Sequence, residues 1–319
     1  MKPTARTIAA AMALVLMAVA APGVCPAIDK PQKAIRYPGD LSGRIVFSAV
    51  VDGQWDLWAA NPDNGELVRM TNDPGMERFC DVSDGGDRIL YIAEDKAVWL
   101  YEPYKGTRTR LPLVTGIYGH PSWAPGAREF AYVAYKALPT DSSELWRMRE
   151  KDGQWEEPER LTTFPPMVMH PDYSPDGKTI ACTVFRRDPV LGVVEKPVLL
   201  RPPSDKLAAI VDESADSYGP KWSPDGVRIA YTSNLAGNYD VWILDMDKNE
   251  NRRLTIEPGF DGEPSFGPRG KQVVFVSNRS GARELWIDSA QGGMANRLTH
   301  LEQSVSSPCW VKPRQGQEQ

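Results

Sequence analysis

Pro220-Lys-Trp-Ser-Pro-Asp-Gly226 is the stretch on which the fold turns, because the chain repeats it. Pro171-Asp-Tyr-Ser-Pro-Asp-Gly177 is a near copy, and Pro121-Ser-Trp-Ala-Pro-Gly126 and Pro264-Ser-Phe-Gly-Pro-Arg-Gly270 are weaker ones. Cys80-Asp-Val-Ser-Asp-Gly-Gly86 is a degenerate copy, and Pro308-Cys-Trp310 is a closing fragment. The copies begin 41, 50, 49, 44 and 44 residues apart, the period of a four-stranded propeller blade. Pro-Asp-Gly is turn chemistry. Proline pre-sets φ, aspartate bonds its own backbone, and glycine takes positive φ. The aromatic residue ahead of the turn is placed to pack between neighbouring blades.

The segments after each copy also repeat. A β-rich strand comes first (Arg228–Ser233, Gln272–Ser277). A strand centred on a large apolar residue follows (Asp240–Asp245, Glu284–Asp288). A third closes on Leu-Thr in Leu161-Thr162, Leu254-Thr255 and Leu298-Thr299. The body opens at Arg44-Ile-Val-Phe-Ser48, which corresponds to the second strand of a repeat, and Pro308-Cys-Trp310 supplies the missing first strand. The expected fold is therefore all-β: a six-bladed β-propeller of four-stranded antiparallel blades. The C-terminal strand pairs with the N-terminal blade and leaves no open sheet edge at the seam.

The chain has 319 residues, ten Trp, 26 Gly and 28 Pro, as many short strands and tight turns require. Its net charge is −5 with no basic stripe, which argues against nucleic acid as a partner. Residues 1–27 read as an export signal: Lys2 and Arg6, then an apolar run from Ile8 to Ala21 that is short for a membrane span. Retention of that segment, or lipidation at Cys25, would be the chain's link to a membrane. The expected organisation is signal 1–27, linker 28–42, propeller 43–312 and tail 313–319, in a monomeric, periplasmic protein. Cys80, Cys182 and Cys309 do not form a disulfide framework. They read as buried free thiols, with a Cys80–Cys309 bridge as the alternative.

The Pro-x-Trp-Ser-Pro-Asp-Gly copies, Ile229-Ala-Tyr-Thr-Ser233, Asp240-Val-Trp242 and the closing Leu-Thr resemble the WD40-like (PD40) repeats of TolB-type propellers over about residues 40–312. The resemblance implies a cell-envelope scaffold that binds a protein or peptide. About fifteen residues separate the signal from the first strand, so the TolB-type N-terminal domain is expected to be lacking. Prolyl-oligopeptidase-type peptidases and oligogalacturonate lyases carry related propellers. The first need a Gly-x-Ser-x-Gly elbow, which this sequence does not contain.

Chemistry is sought at the position just before each anchor. It holds Phe79, His120, His170, Gly219, Glu263 and Ser307, and these side chains should ring one mouth of the central channel. Asp216 and Asp261 lie in the segments leading to it. His120, His170, Glu263, Asp216 and Asp261 are the candidate ligand-binding residues. No catalytic residue is assigned and no cofactor is expected, with one reservation. His120 and His170 occupy adjacent blades and are of the type that holds a divalent metal. The lyase resemblance places a metal with propeller histidines, so the alternative function is a metal-dependent carbohydrate-active lyase or hydrolase at the His120/His170 mouth. Asp240, Asp245 and Asp247 flank a strand and read as solvated.

Overall fold

A computed structural model of the chain describes residues 32–37, 39–113, 117–135, 142–163, 167–188, 192–211 and 215–313. The signal, Cys25 and most of the tail lie outside the described residues. Among the described residues no helix is long and apolar enough to cross a membrane.

Six antiparallel sheets form the blades of a propeller. Their innermost strands are Val305–Trp310 (blade 1), Arg78–Val82 (blade 2), Ile117–Trp123 (blade 3), Val168–Tyr173 (blade 4), Ser217–Trp222 (blade 5) and Asp261–Phe266 (blade 6). Blade 1 runs Val305–Trp310, Ile45–Val51, Gln54–Ala60, Leu67–Arg69 from the channel outward, so the C-terminal strand closes the ring as the repeat predicts. Two blades depart from four strands. The outer strand of blade 3 is split into Gln154–Trp155 and Glu159–Arg160. Blade 2 gains Gln32–Lys33 on its outer edge, paired with Thr107–Arg108. Within the segment expected to be a linker, Gln32–Lys33 is thus built into the sheet. Tyr101 Oη donates to Ile35 O at 2.5 Å, and Leu41, fully buried, donates its N–H to Tyr104 Oη at 2.9 Å.

The anchor residues do the work their chemistry implies. In Ser174-Pro-Asp-Gly177 the Gly177 N–H donates to Ser174 O at 2.8 Å and Gly177 has φ +70°. The aromatic residues pack across seams: Trp310 joins Val274 and Ile287 of blade 6, and Trp222 joins Ala181 and Leu199 of blade 4. Burying each such ring contributes roughly 1.5–3 kcal/mol.

A second device explains the Leu-Thr repeat. The Thr hydroxyl accepts a backbone N–H from the third strand: Leu57 to Thr71, Leu145 to Thr162, Val241 to Thr255 and Leu285 to Thr299, at 2.9–3.0 Å. One residue before each N–H donor stands an acid, held by an arginine of the fourth strand. The pairs are Asp56–Arg69 (2.5 Å), Glu144–Arg160 (3.3 Å), Asp240–Arg253 (2.7 Å) and Glu284–Arg297 (3.0 Å). Asp240 is therefore not solvated. It is fully buried, and Arg253 supplies the charge it needs there.

Candidate functional site

The position before each anchor Pro has a shared backbone. In every inner strand the register slips there, and the residue takes positive φ: Phe79 +56°, His120 +48°, His170 +51°, Gly219 +63°, Glu263 +52° and Ser307 +53°. Proline suits the second bulge position because it has no N–H to give to the ladder. Glycine is the easy occupant of the first; the other five accept roughly 1–2 kcal/mol of left-handed strain each. Hydrogen bonds to the preceding blade hold three of them: Gly219 N–H donates to Thr183 Oγ1 at 3.0 Å, Glu263 N–H to Thr232 Oγ1 at 3.1 Å, and Ser307 N–H to Glu263.

The bulges bring Phe79, His120 and His170 together in an arc of tilted and edge-to-face rings. Phe79 and His120 have ring centroids 4.3 Å apart, His120 and His170 4.3 Å, and His170 and Tyr218 5.7 Å. Tyr239 and Phe260 continue the arc at 5.8 and 6.1 Å. Arg78 lies over Phe79 at one end and Arg283 over Phe260 at the other. Glu263 takes Arg283 at 3.5 Å and accepts the Ser307 N–H at 2.6 Å. Burial and the neighbouring His170 push the His120 pKa well below its ordinary value. Burial and Lys221 lower that of His170 to about 4. Both imidazoles are neutral near pH 7. Among the described residues His120 Nδ1 is buried without a hydrogen-bond partner, and His170 Nδ1 lies 3.3 Å from Thr183 Oγ1.

The two predicted aspartates each have a protein partner. Asp261 begins the blade 6 inner strand, is buried, and pairs with Arg279 at 2.7 Å. Asp216 accepts the Glu195 N–H at 3.2 Å, and burial together with Asp216 raises the Glu195 pKa to about 7. Among the described residues no three His, Cys, Asp or Glu side chains stand where one metal ion could be held.

A cavity of about 230 Å³ lies at the other end of the channel, bounded by the anchor turns. Its polar floor is Asp81, Asp172, Lys221 and Cys309, and Pro125, Pro175, Pro224 and Pro268 are among the residues of its wall. These floor residues occupy the x of Pro-x-aromatic, a position the sequence reading passed over. Lys221 Nζ lies 2.8 Å from Asp172 Oδ1. Burial opposes the lysine's charge, but Asp172 and Asp81 outweigh it and raise the Lys221 pKa above its ordinary value. Burial raises the pKa of Asp81, with Lys221 opposing. Burial also raises the Cys309 thiol well above its usual range, and Cys80, Cys182 and Cys309 are all free thiols. The signal for this ring was the second column of the repeat: Asp, Ser, Asp, Lys, Ser and Cys, polar where an inner strand could have been apolar.

Residues 128–316 match the TolB beta propeller domain family. The Tol-Pal system protein TolB of Anaeromyxobacter dehalogenans is 30% identical over 121 residues, 38% of this chain and 26% of that protein. A TolB homolog of Protochlamydia amoebophila is 24% identical over 225 residues, 69% of this chain and 39% of that protein. These matches thus span about a quarter to two fifths of the curated relatives. Among solved structures, TolB from Acinetobacter baumannii superposes with a TM-score of 0.70 at 22% identity, covering 86% of this chain and 68% of that one. An oligogalacturonate lyase in complex with manganese shares the fold at 0.55 and 17%, covering 83% and 75%.

Proposed function

Because this chain belongs to the TolB beta propeller domain family, we propose that it is an exported cell-envelope scaffold. In this reading it resides in the periplasm and binds a protein or peptide partner at the anchor-turn mouth of the channel. The observation that carries the choice of mouth is the cavity there, with a charged floor under a proline-bearing wall. Such a site offers hydrogen bonds at its base and apolar surface along its sides, which an extended chain can use together. The leader pattern of residues 1–27 supports export, and the Tol-Pal naming of the relatives supports the envelope.

The test is a photo-reactive residue at Pro268, on the rim of the cavity, and another at Tyr239, in the opposite mouth. Irradiation of cells is expected to give a discrete protein adduct from Pro268. Adducts from Tyr239 alone would refute the choice of mouth, and adducts from neither would refute the scaffold reading.

A second reading, a metal-dependent carbohydrate-active enzyme, has one observation in its favour: the buried, unpartnered His120 Nδ1 beside His170. It requires stoichiometric divalent metal in the purified protein that a His120→Ala/His170→Ala double variant loses.

A further inference from the structure

The floor residues of the cavity work in pairs across the blade seams. In each inner strand the residue in the aromatic column (Val82 in blade 2) turns its N–H away from the second strand. Gly267 N–H donates to Gln272 O at 2.8 Å and Ser265 pairs with Val274, so Phe266 between them directs its N–H to the channel side. At five seams a side chain of the preceding blade meets this N–H. Asp81 accepts from Trp123 at 2.7 Å, Ser122 from Tyr173 at 3.4 Å, Asp172 from Trp222 at 2.8 Å and Ser265 from Trp310 at 3.1 Å. The Cys309 sulfur takes the corresponding backbone bond from Val82.

The sixth seam breaks the pattern. Lys221 stands where the acceptor before Phe266 should be, and an ammonium has no lone pair to offer. It turns back to Asp172 instead. Lys221 and Phe266 both line the cavity, and among the described residues this seam gives the Phe266 N–H no side-chain acceptor of the kind the other five provide.

We infer that the Lys221–Phe266 seam is a subsite for an uncharged carbonyl oxygen, of the kind an extended peptide carries, entering from the anchor-turn mouth. The carbonyl supplies the sixth acceptor. The lysine is flanked by Asp172 and Asp81, so the floor is acidic overall and disfavours a ligand carboxylate. This inference rests on the partner-binding reading above and adds to it a position and a chemistry.

The experiment is amide NMR on the full chain, with acetyl-triglycine methylamide as an uncharged peptide probe and sodium acetate as an anionic one. The Phe266 amide is expected to move downfield and saturate with the blocked peptide, while the latched amides of Trp123, Trp222 and Trp310 stay in place. Lys221→Ser places an acceptor at the seam. Its Phe266 amide should already be downfield without ligand, and its affinity for the peptide should fall about tenfold, the loss of roughly one good hydrogen bond. A Phe266 amide that ignores the peptide in the wild-type chain overturns the inference, even if Lys221→Ser does not fold. So does a larger response to acetate, or a Lys221→Ser variant that binds the peptide unchanged. If the Pro268 cross-link forms while Phe266 stays silent, the subsite is wrong and the scaffold reading survives; loss of both removes both.

Discussion

Asp172 in blade 4 accepts the backbone N–H of Trp222 in blade 5 at 2.8 Å while its other oxygen holds Lys221 at 2.8 Å. One carboxylate thus satisfies a channel-facing amide and a half-buried cation across a seam. Asp172→Ala leaves both without it and should destabilise the protein by about 2–3 kcal/mol. Asp172→Asn keeps an acceptor for the amide and should lose less. Urea unfolding with matched m-values separates the two; equal losses would mean that the amide bond contributes nothing.

Thr299 accepts the Leu285 N–H and donates to the fully buried Glu284. Thr299→Val preserves the shape and removes both bonds. The expected loss is about 2 kcal/mol, with Thr299→Ser close to the wild type. The same substitution at Thr71, Thr162 or Thr255 should behave alike, since each accepts the corresponding bond. A loss confined to one blade would show that the clasp is not a shared device.

The histidine arc makes stability depend on pH. In the folded chain burial lowers both imidazole pKa values, that of His170 to about 4. The unfolded chain, with His near 6.5, binds protons first as pH falls. Stability from this pair is therefore present above about pH 6.5 and is lost progressively toward pH 4. His120→Phe/His170→Phe should flatten the dependence of the unfolding midpoint on pH across that window. An unchanged slope would exclude the pair as its source.

Glu77 works in the opposite direction. It is buried, and that burial raises its pKa to about 7 against the opposing hydrogen bond from Thr71. A raised folded pKa favours folding at low pH and loses that benefit as pH climbs through 7. Glu77→Gln should stabilise the protein at pH 8 by on the order of 2 kcal/mol, read as a higher melting temperature, and change little at pH 5. Destabilisation at pH 8 would mean that Arg108, 3.8 Å away, outweighs desolvation.

The repeat made most of the fold legible because its columns report one environment six times. Pro308-Cys-Trp310 could be assigned to blade 1 on three residues, and the structure pairs Trp310 with Ile45. Where an environment is set by something outside the repeat unit, the reading failed. Asp240 looked like a strand-end surface residue because its partner Arg253 comes from the following strand. Asp172 and Lys221 were passed over because their partners lie a whole blade away. Gln32–Lys33 became a sheet strand because blade 2 presents an edge at Thr107–Arg108, which no local pattern in residues 28–42 announces. The bulge position was read as a channel ring, and the arc from Phe79 to Tyr218 is there. The burial that neutralises its histidines follows from side chains converging, a property of the closed ring.

Blade 1 receives its innermost strand, Val305–Trp310, after every other blade has been made. Until that strand arrives, Ile45–Val51 presents a bare inner edge. An emerging chain can assemble blades 2 to 6 in order but cannot complete the first until its final strand is synthesised. The order of synthesis therefore defers ring closure until residues 305–310 have been made, and a polypeptide stopped before residue 305 leaves the inner edge of Ile45–Val51 bare.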